Sequence, residues 1–513
     1  MTSSVTSSTA GRVVRPYRAV RTRTADSPAP SGRWIPFLVF LLPTAVVLAC
    51  VMPGIGHRQL WRDEHCTWWA SSIRYPELGL LIQHIDVVFA PFYALMHAWV
   101  LLAGTSPAAL RLPEGLAMAA SAGLLGLVGR QMFTPRAGLL AGLLFALVPT
   151  VTRYGQEARP YAFAVFFSLL ATLLLLRALE RPTLKLWTLY TLAITLTGLS
   201  HLVALCVVAA HAVAVLRARR GGDHFVHWAF GCAVVMGTST VVPMIAKGSG
   251  QARQIALNNA TSRDLVTYPM ELFGSWFAGG VVMGLGVVGL LTAGRKVAAV
   301  PAVWAVLPPV LTFLTSDRLH LFLPRYLLFT VPAWLLLAAA GADRCADALT
   351  RAARTGRQRR LAGGALLTAA VAVFALQMWP AVATVRQDLP DEPDFAAAGR
   401  IVTAGQRAGD GILYNGTFEV RKAMAYELRD RARPEDVMMK LTPQQAGLYS
   451  AHECDVPATC LADRRRLWLV STALGDARAD MRPGTAAALA GFEVVRTERL
   501  RNLTVQLLQR RGG

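Results

Sequence analysis

The sequence has 513 residues, of which 54% are hydrophobic and 16% are charged, whereas a soluble domain carries about a quarter charged residues. Its net charge of +21 would suit a nucleic-acid-binding protein, but the basic residues lie in short runs between long apolar segments. That arrangement is typical of a membrane protein whose Lys- and Arg-rich loops stay on the cytoplasmic side. The composition therefore argues against a soluble chain and against a nucleic-acid partner.

The first 33 residues combine six arginines with many Ser and Thr residues and show no apolar periodicity. This predicts a disordered, basic cytoplasmic tail over residues 1–33. Most of the apolar runs that follow are long enough to cross a bilayer, and they are rich in Leu, Ala and Val without alternation, which predicts helices rather than barrel strands. The predicted segments are 34–54, 88–104, 111–131, 136–152, 160–178, 186–199, 201–217, 226–246, 276–293, 298–315, 325–342 and 361–380.

Basic runs such as 217–220 and 344–360 are expected in the cytoplasm, and strict alternation then places residue 154 and everything after residue 380 outside. A cytoplasmic N-terminus places loop 57–87 outside as well. The chain must therefore cross an even number of times between that loop and residue 154, which predicts about 11 crossings in all. One of three segments fails to cross, and the basic residues do not decide which: 88–104, 111–131 or 136–152.

Residues 381–513 are predicted to form a small extracytoplasmic α/β domain after a transmembrane domain over residues 34–380. Three stretches have strand-like composition: Gly411–Asn415, Arg466–Thr472 and Thr504–Leu508. Cys454 and Cys460 lie close together in this polar region and could form a disulfide in an oxidising compartment. The expected fold class is an all-α polytopic membrane protein with this α/β domain appended.

The first outer loop carries two adjacent carboxylates, Asp63 and Glu64, among three tryptophans. A carboxylate within hydrogen-bonding reach of an acceptor hydroxyl can act as a general base. The alternative is an interfacial helix, in which Trp sits at headgroup level and the acids are merely solvated. The pattern alone leaves both interpretations open.

Two further outer segments carry arginines. Glu157, Arg159 and Tyr161 precede a predicted helix, where a polar cap would explain the glutamate but not an arginine beside a tyrosine. Arg325 and Tyr326 open a late segment. An arginine there suits a phosphate, which a guanidinium holds with paired hydrogen bonds; snorkelling to lipid headgroups is the alternative.

Three ionisable residues near apolar segments are also candidates: His84 and Asp86 before segment 88–104, and His201 between two apolar stretches. Ionisable groups at membrane depth are functional candidates by default. A histidine packed in the core is the competing interpretation for each.

Four motifs in order resemble the protein mannosyltransferase-like (family 39) glycosyltransferases of the GT-C superfamily, over residues 34–345. The similarity is greatest to the bacterial branch of lipid A aminoarabinose transferases and lipopolysaccharide-core galacturonosyltransferases. The motifs are Asp63-Glu64, Ala109-Leu110-Arg111-Leu112-Pro113, Gln156-Glu157-Ala158-Arg159-Pro160-Tyr161 and Pro324-Arg325-Tyr326-Leu327.

The resemblance implies a polyprenyl-phosphate sugar donor, inversion at the anomeric carbon and an active site on the outer face. It implies that Asp63, with Glu64, orients or deprotonates the acceptor. The other implied roles are donor-phosphate binding by Arg159, Arg325, Tyr161 and Tyr326, and support by Glu157, His84, Asp86 and His201. A monophosphate donor needs no metal, although Asp63 and Glu64 would be the ligands if a divalent cation such as Mg or Mn were used.

One departure from the family pattern concerns specificity. The family shows an acidic residue, then His-Pro-Pro and Tyr, before its second span, whereas this chain reads Asp86-Val87-Val88-Phe89-Ala90-Pro91-Phe92-Tyr93. The His-Pro pair is replaced, and His84 is an unproven substitute.

The sequence therefore predicts a multi-pass plasma-membrane glycosyltransferase that moves mannose, or a similar hexose or pentose, to a glycan, lipid or protein acceptor. The alternative is a polytopic transporter or flippase for a lipid-linked substrate. Transporters often have internal repeats and interrupted helices, neither of which the sequence indicates. A non-catalytic membrane scaffold is the third class.

Overall fold

The computed structural model describes residues 34–218, 224–251, 258–353, 355–473, 476–479 and 481–512. The predicted tail over residues 1–33 lies outside the described residues. The chain is mostly helical, which confirms the predicted fold class. The helices up to residue 384 are α1 (Ile35–Val51), α2 (Arg62–Ser72), α3 (Tyr75–His84), α4 (Ala90–Ala103), α5 (Pro107–Met132), α6 (Pro135–Leu147), α7 (Pro149–Gly155), α8 (Tyr161–Glu180), α9 (Leu184–Ser200), α10 (Val207–Arg217), α11 (His224–Ser239), α12 (Val242–Ser249), α13 (Ser262–Phe273), α14 (Trp276–Thr292), α15 (Arg295–Leu314), α16 (Ser316–Leu319), α17 (Val331–Leu349) and α18 (Gly356–Thr384).

Within the described residues, five helices are long and apolar enough to cross a membrane: α5, α8, α15, α18 and the helix over Pro324–Leu349, whose first turns are 3₁₀. Three bent pairs would each pass as one span, namely α6 with α7, α11 with α12, and α13 with α14. Shorter apolar helices cover Ile35–Val51, Val87–Ala103 and Leu202–Arg217. The chain is therefore a multi-pass membrane protein, and the figure of about 11 crossings stays a prediction.

The length of helix α4, which lies in predicted segment 88–104, is relevant to which of the three segments does not cross the membrane. Its 14 residues reach about 21 Å at 1.5 Å per residue, short of a hydrocarbon core of about 30 Å. Segment 136–152 is also irregular, because α6 and α7 meet at 66° before Pro149. The choice between the three segments stays a prediction.

Close helix contacts rest on small residues. A Cβ on Gly289 of α14 would clash with the carbonyl of Leu337 on α17, and one on Gly341 would clash with the carbonyl of Leu285. Glycines at such crossings let two backbones approach closely, as is usual for helices in lipid. This contact holds α17 against α14, and α17 directly follows the segment that carries Arg325.

The C-terminal unit (residues 395–512) contains a five-stranded sheet of order β2-β1-β5-β7-β6, in which β1 runs parallel to β2 and β5 while β7 is antiparallel to β5 and β6. Its strands are β1 (Gly411–Asn415), β2 (Glu435–Asp436), β3 (Met439–Leu441), β4 (His452–Glu453), β5 (Arg466–Ser471), β6 (Phe492–Leu500) and β7 (Leu503–Arg510), and its helices are α19 (Phe395–Gly405), α20 (Phe418–Glu427), α21 (Pro443–Ala446), α22 (Pro457–Cys460) and α23 (Pro483–Ala488).

The three predicted strands correspond to β1, β5 and β7, whereas β6 was missed. β6 is a largely exposed edge strand that carries charged residues, which protect an edge but weaken the apolar signal of a strand. The predicted Cys454–Cys460 disulfide is present.

The C-terminal unit packs against the first outer loop through α20 on α2 and α21 on α3. The Gln59 side-chain amide donates to the Pro393 carbonyl at 2.8 Å, and Tyr426 Oη donates to the Thr105 carbonyl at 3.0 Å. These contacts fix α2, which carries the predicted acids, between the membrane helices and the sheet.

Candidate active site

Helix α2 begins directly after Trp61, and its start presents Asp63. Glu64 closes the first turn as a capping residue, because its carboxylate accepts the Trp61 N–H at 3.3 Å. Asp63 lies in the same turn with its side chain 21% exposed, and its carboxylate is 3.8 Å from the Arg62 guanidinium. The two neighbouring acids therefore face different surroundings.

Glu64 is fully buried and paired with Arg111 of α5. The Arg111 guanidinium donates from Nε and Nη2 to the two Glu64 oxygens, each at 2.7 Å, and the Ala158 N–H donates to Glu64 Oε1 at 2.9 Å. Burial alone would raise the pKa of Glu64, but the Arg111 charge outweighs it and the pKa is lowered. Glu64 thus ties α2 to α5 and to the segment before α8. This differs from the expected catalytic or metal-binding role.

The predicted cation site does not fit these residues. Both Glu64 oxygens are engaged by Arg111 and Ala158. Among the residues that the structure describes, no group of three or more His, Cys, Asp or Glu side chains could hold a metal ion. Asp63 and Glu64 therefore do not form a shared ligand set for a metal ion.

The two arginines predicted to bind phosphate lie near Asp63. Arg159 is buried, and Arg159 Nη1 is 3.5 Å from Tyr93 Oη while its guanidinium stacks 4.2 Å from the Phe89 ring. Asp63 interacts electrostatically with both Arg159 and Arg325. The Nε atoms of both arginines are buried without a hydrogen-bond partner in the described part of the chain. Buried donors of this kind are costly unless a ligand accepts from them.

An aromatic cluster lies beside the arginines. The His201 ring is 4.8 Å from that of Tyr326 and 5.7 Å from that of Tyr161, and Tyr161 is 6.1 Å from Tyr326. The Arg325 guanidinium lies 5.5 Å from the Tyr326 ring. Within the described residues, Tyr161 Oη and His201 Nδ1 are buried without a partner. The structure therefore brings His201, Tyr161 and Tyr326 close to Arg159 and Arg325, the two residues of the arginine cluster.

Glu157 is a second buried carboxylate of the site. It is 1% exposed, its Oε2 lies 3.9 Å from Arg153 Nε, and its Oε1 has no partner among the described residues. Burial raises the pKa of Glu157 to about 7, against the opposing charge of Arg153. Asp63 also acts on Glu157 electrostatically, so the carboxylates of two distant segments converge with the arginines.

Asp86 joins the site through tyrosines. It adopts a left-handed backbone with a φ of 59°, and Tyr93 Oη donates to its Oδ2 at 2.9 Å. Tyr449 Oη, from the C-terminal unit, lies 3.0 Å from the same oxygen and 3.1 Å from Tyr93 Oη. Because Tyr93 also contacts Arg159, this network connects the C-terminal unit to the arginine cluster.

His84 does not join the cluster. Its exposed ring has Nδ1 3.1 Å from the Leu80 carbonyl of its own helix, and it lies beside the turn at Gly447. The structure therefore gives no support to His84 as the replacement for the missing His-Pro pair. Its position two residues before Asp86, ahead of segment 88–104, is what made it a candidate.

Sequence reasoning missed the roles of several buried residues. Arg111 stood in a motif but was assigned no partner, and Tyr93 and Tyr449 were not candidates. Glu114, one turn after Arg111 on α5, is fully buried, and neither of its oxygens has a partner among the described residues. An acid within an apolar helix was a readable signal for Glu114, whereas Tyr449 depends on tertiary packing alone.

The chain is similar to known proteins in part of its sequence and in its fold. Residues 88–246 match the family described as dolichyl-phosphate-mannose-protein mannosyltransferase. The crystal structure of ArnT from Cupriavidus metallidurans in the apo state has a TM-score of 0.59 at 14% identity, over 91% of this chain and 97% of ArnT. The same protein bound to undecaprenyl phosphate has a TM-score of 0.60 at 15% identity, over 93% and 98%. No curated protein sequence matches. The chain therefore has the fold of ArnT, and its residues 88–246 match the mannosyltransferase family model.

Proposed function

We propose that this chain is a membrane glycosyltransferase that moves a sugar, mannose or a similar hexose or pentose, from a polyprenyl-phosphate donor to an extracytoplasmic acceptor with inversion. One observation carries the proposal: Asp63, partly exposed at the start of α2, interacts electrostatically with Arg159 and Arg325 of two other segments. A carboxylate opposite a pair of guanidinium groups supplies a base and a phosphate site in one place.

Arg159 and Arg325 would hold the phosphate of the sugar donor. The Tyr161 hydroxyl would donate a further hydrogen bond to that phosphate, and His201 and Tyr326 would pack beside Tyr161. The unpartnered Nε atoms of the two arginines favour an anionic ligand. The binding of undecaprenyl phosphate by ArnT, whose fold this chain shares, supports the same donor class. Glu157 would support the site, and Glu64 would position α2 through Arg111.

The reaction would proceed as a single displacement. The acceptor hydroxyl attacks the anomeric carbon from the face opposite the phosphate while Asp63 takes its proton. The bond between the anomeric carbon and the phosphate oxygen breaks, and its electron pair leaves with polyprenyl phosphate. Arg159 and Arg325 stabilise the negative charge that develops there, and fixed charge of this kind is usually the largest catalytic contribution.

The site would face the extracytoplasmic side of the plasma membrane, with the N-terminus in the cytoplasm. The Cys454–Cys460 disulfide supports an oxidising compartment for the C-terminal domain. We propose that residues 34–380 form the transferase domain and residues 381–513 the outer domain, although α18 continues to Thr384. The acceptor would be a glycan, a lipid or a protein.

A lipid-substrate flippase is the second candidate, and one observation favours it. No interrupted helix was predicted from the sequence, but three helix pairs are bent by 45° to 93°, and broken helices are common in transporters. The bends after α6 and α11 lie within predicted segments 136–152 and 226–246, where the apolar composition hides the break from hydropathy. The third bend joins α14 to α13, which carries Arg263, Asp264 and Glu271 and lies outside the predicted segments.

The two candidates differ in whether the donor bond breaks. Purified protein in vesicles with polyprenyl-phosphate mannose should release polyprenyl phosphate when an acceptor extract is present, and Asp63→Asn should abolish release. Asp430→Asn, whose side chain is 80% exposed, is the matched control and should retain it. Donor translocation without bond cleavage would support the flippase, and normal release by Asp63→Asn would refute the assigned base.

A further inference from the structure

A cleft of about 600 Å³ lies between α2 and the C-terminal unit, apart from the arginine cluster. Helix α2 contributes Trp68 and Trp69 to its wall. The opposite wall belongs to the C-terminal unit and includes Tyr414, Lys422, Arg429 and Arg433. Neither Arg159 nor Arg325 lines this space, so it is a separate site from the proposed donor site.

The cleft carries positive charge that its own acids do not cancel. Its acidic residues are already engaged, Asp436 by Arg421 at 2.6 Å and Glu435 by Arg464. Arg433 is exposed and makes no ion pair within the described residues. Arg429 pairs with Asp430, whose side chain is 80% exposed, so that contact is screened by water.

Hydrogen-bonding groups in the cleft wall also lack partners. Among the described residues, Trp69 Nε1 and Asp436 Oδ1 are buried without one. Buried polar atoms are nearly always satisfied in folded proteins, and exceptions call for a bound molecule or water. One donor and one acceptor next to indole rings suit a sugar, whose hydroxyls both donate and accept and whose ring face packs on an aromatic side chain.

The cleft is close to the proposed base along one helix. Asp63, Cys66 and Trp69 follow each other at three-residue spacing on α2, a rise of about 9 Å from the first to the last. Cys66 Sγ lies 2.7 Å from Lys422 Nζ of the cleft wall and interacts electrostatically with Asp63. One sugar residue seated against Trp69 could therefore place its neighbour at Asp63.

We propose that this cleft is the acceptor subsite and that it selects a glycan bearing an anionic group, a carboxylate or a phosphate. The anion would lie against Arg433 and Arg429, and the sugar ring would pack on Trp69. This inference rests on the proposed transferase function and adds the acceptor class to it. A water-soluble glycan fits this location, because the C-terminal unit, and not the apolar helices, forms one whole wall of the cleft.

Calorimetric titration of the purified full-length chain tests the subsite with three probes: glucose, glucuronic acid and glucose 6-phosphate. At least one charged sugar should bind about tenfold more tightly than glucose, as one charge-assisted hydrogen bond implies; which one does so distinguishes carboxylate from phosphate recognition. Arg433→Ala should remove this preference. Arg431→Ala, an exposed arginine of the same loop outside the cleft wall, is the matched control. Equal binding of all three sugars, or equal losses in both variants, would overturn the proposal.

A second titration separates this inference from the transferase proposal. Arg433→Ala should bind undecaprenyl phosphate as the wild type does, because the donor site is elsewhere. Asp63→Asn should bind the charged sugar normally, since it lacks only the base. If the wild-type protein cleaves the donor but does not prefer charged sugars, the subsite alone is contradicted. If the wild-type protein prefers charged sugars but does not cleave the donor, the transferase proposal alone is contradicted.

Discussion

The Glu64 carboxylate and the Arg111 guanidinium form a buried bidentate ion pair, with both hydrogen bonds at 2.7 Å. Arg111 also donates to the carbonyls of Ile55, Arg58 and Gln59. One side chain of α5 therefore holds both the first outer loop and the helix that presents Asp63. The adjacent acids Asp63 and Glu64 thus have different roles: Asp63 reaches the candidate site, and Glu64 fixes the position of helix α2.

Arg111→Ala should strongly destabilise the protein. Removing one partner of a buried pair leaves an uncompensated charge and costs about 3–5 kcal/mol. The thermal midpoint of the purified protein in detergent measures the loss. Arg74→Ala, which breaks the exposed pair with Glu77, serves as the comparison and should change the midpoint little. Equal midpoints for the two variants would contradict the structural role assigned to Arg111.

Arg159→Ala and Arg325→Ala should each weaken the binding of undecaprenyl phosphate about tenfold or more, since a hydrogen bond to a charged group contributes roughly 1.5–3 kcal/mol. Fluorescence titration with a labelled polyprenyl phosphate would measure the dissociation constants. Arg318→Ala removes an exposed arginine of the same outer segment and should leave binding unchanged. A comparable loss in Arg318→Ala would indicate a general effect of charge instead of a phosphate site.

Tyr449→Phe should loosen the connection between the C-terminal unit and Arg159. The variant loses the hydroxyl next to Asp86 and Tyr93, and a hydrogen bond to a carboxylate contributes roughly 1.5–3 kcal/mol, so donor affinity should fall about tenfold or more. The same donor titration measures this effect. Tyr75→Phe, at a ring that is 57% exposed, is the control and should leave donor affinity unchanged. An unchanged donor affinity in Tyr449→Phe would contradict the proposed connection between the C-terminal unit and Arg159.

Stability should fall as pH rises from about 4.5 to about 7 because of Glu157. Burial raises its pKa to about 7 in the folded protein, so the folded state binds a proton that the unfolded state releases near its ordinary pKa of about 4.3. This contribution is fully present below the unfolded pKa of about 4.3, is lost as the pH rises through the folded pKa, and amounts to at most about 4 kcal/mol.

Thermal midpoints at pH 5, 6, 7 and 8 check the prediction. Glu157→Gln, which stays neutral, should lose less stability over that range than the wild type. Parallel pH profiles for the two proteins would show that Glu157 does not titrate there.

Many features could be read directly from the residues. Apolar run length predicts membrane helices, since lipid accepts only segments that satisfy their own backbone. Strands β1, β5 and β7 were readable because their buried positions are apolar, and β6 was not because its exposed edge is charged. Asp63 stood out as one of two adjacent acids among tryptophans, and Arg159 and Arg325 stood out as arginines at the starts of apolar segments.

Only the tertiary structure decided how those residues divide their roles. In sequence Asp63 and Glu64 are equivalent neighbours, and the position of Arg111 on α5 is what turns Glu64 into a buried anchor. His84 and Asp86 are two residues apart, but only Asp86 meets the hydroxyls of Tyr93 and Tyr449. Partner choice depends on distances between segments up to several hundred residues apart, and no local pattern records those distances.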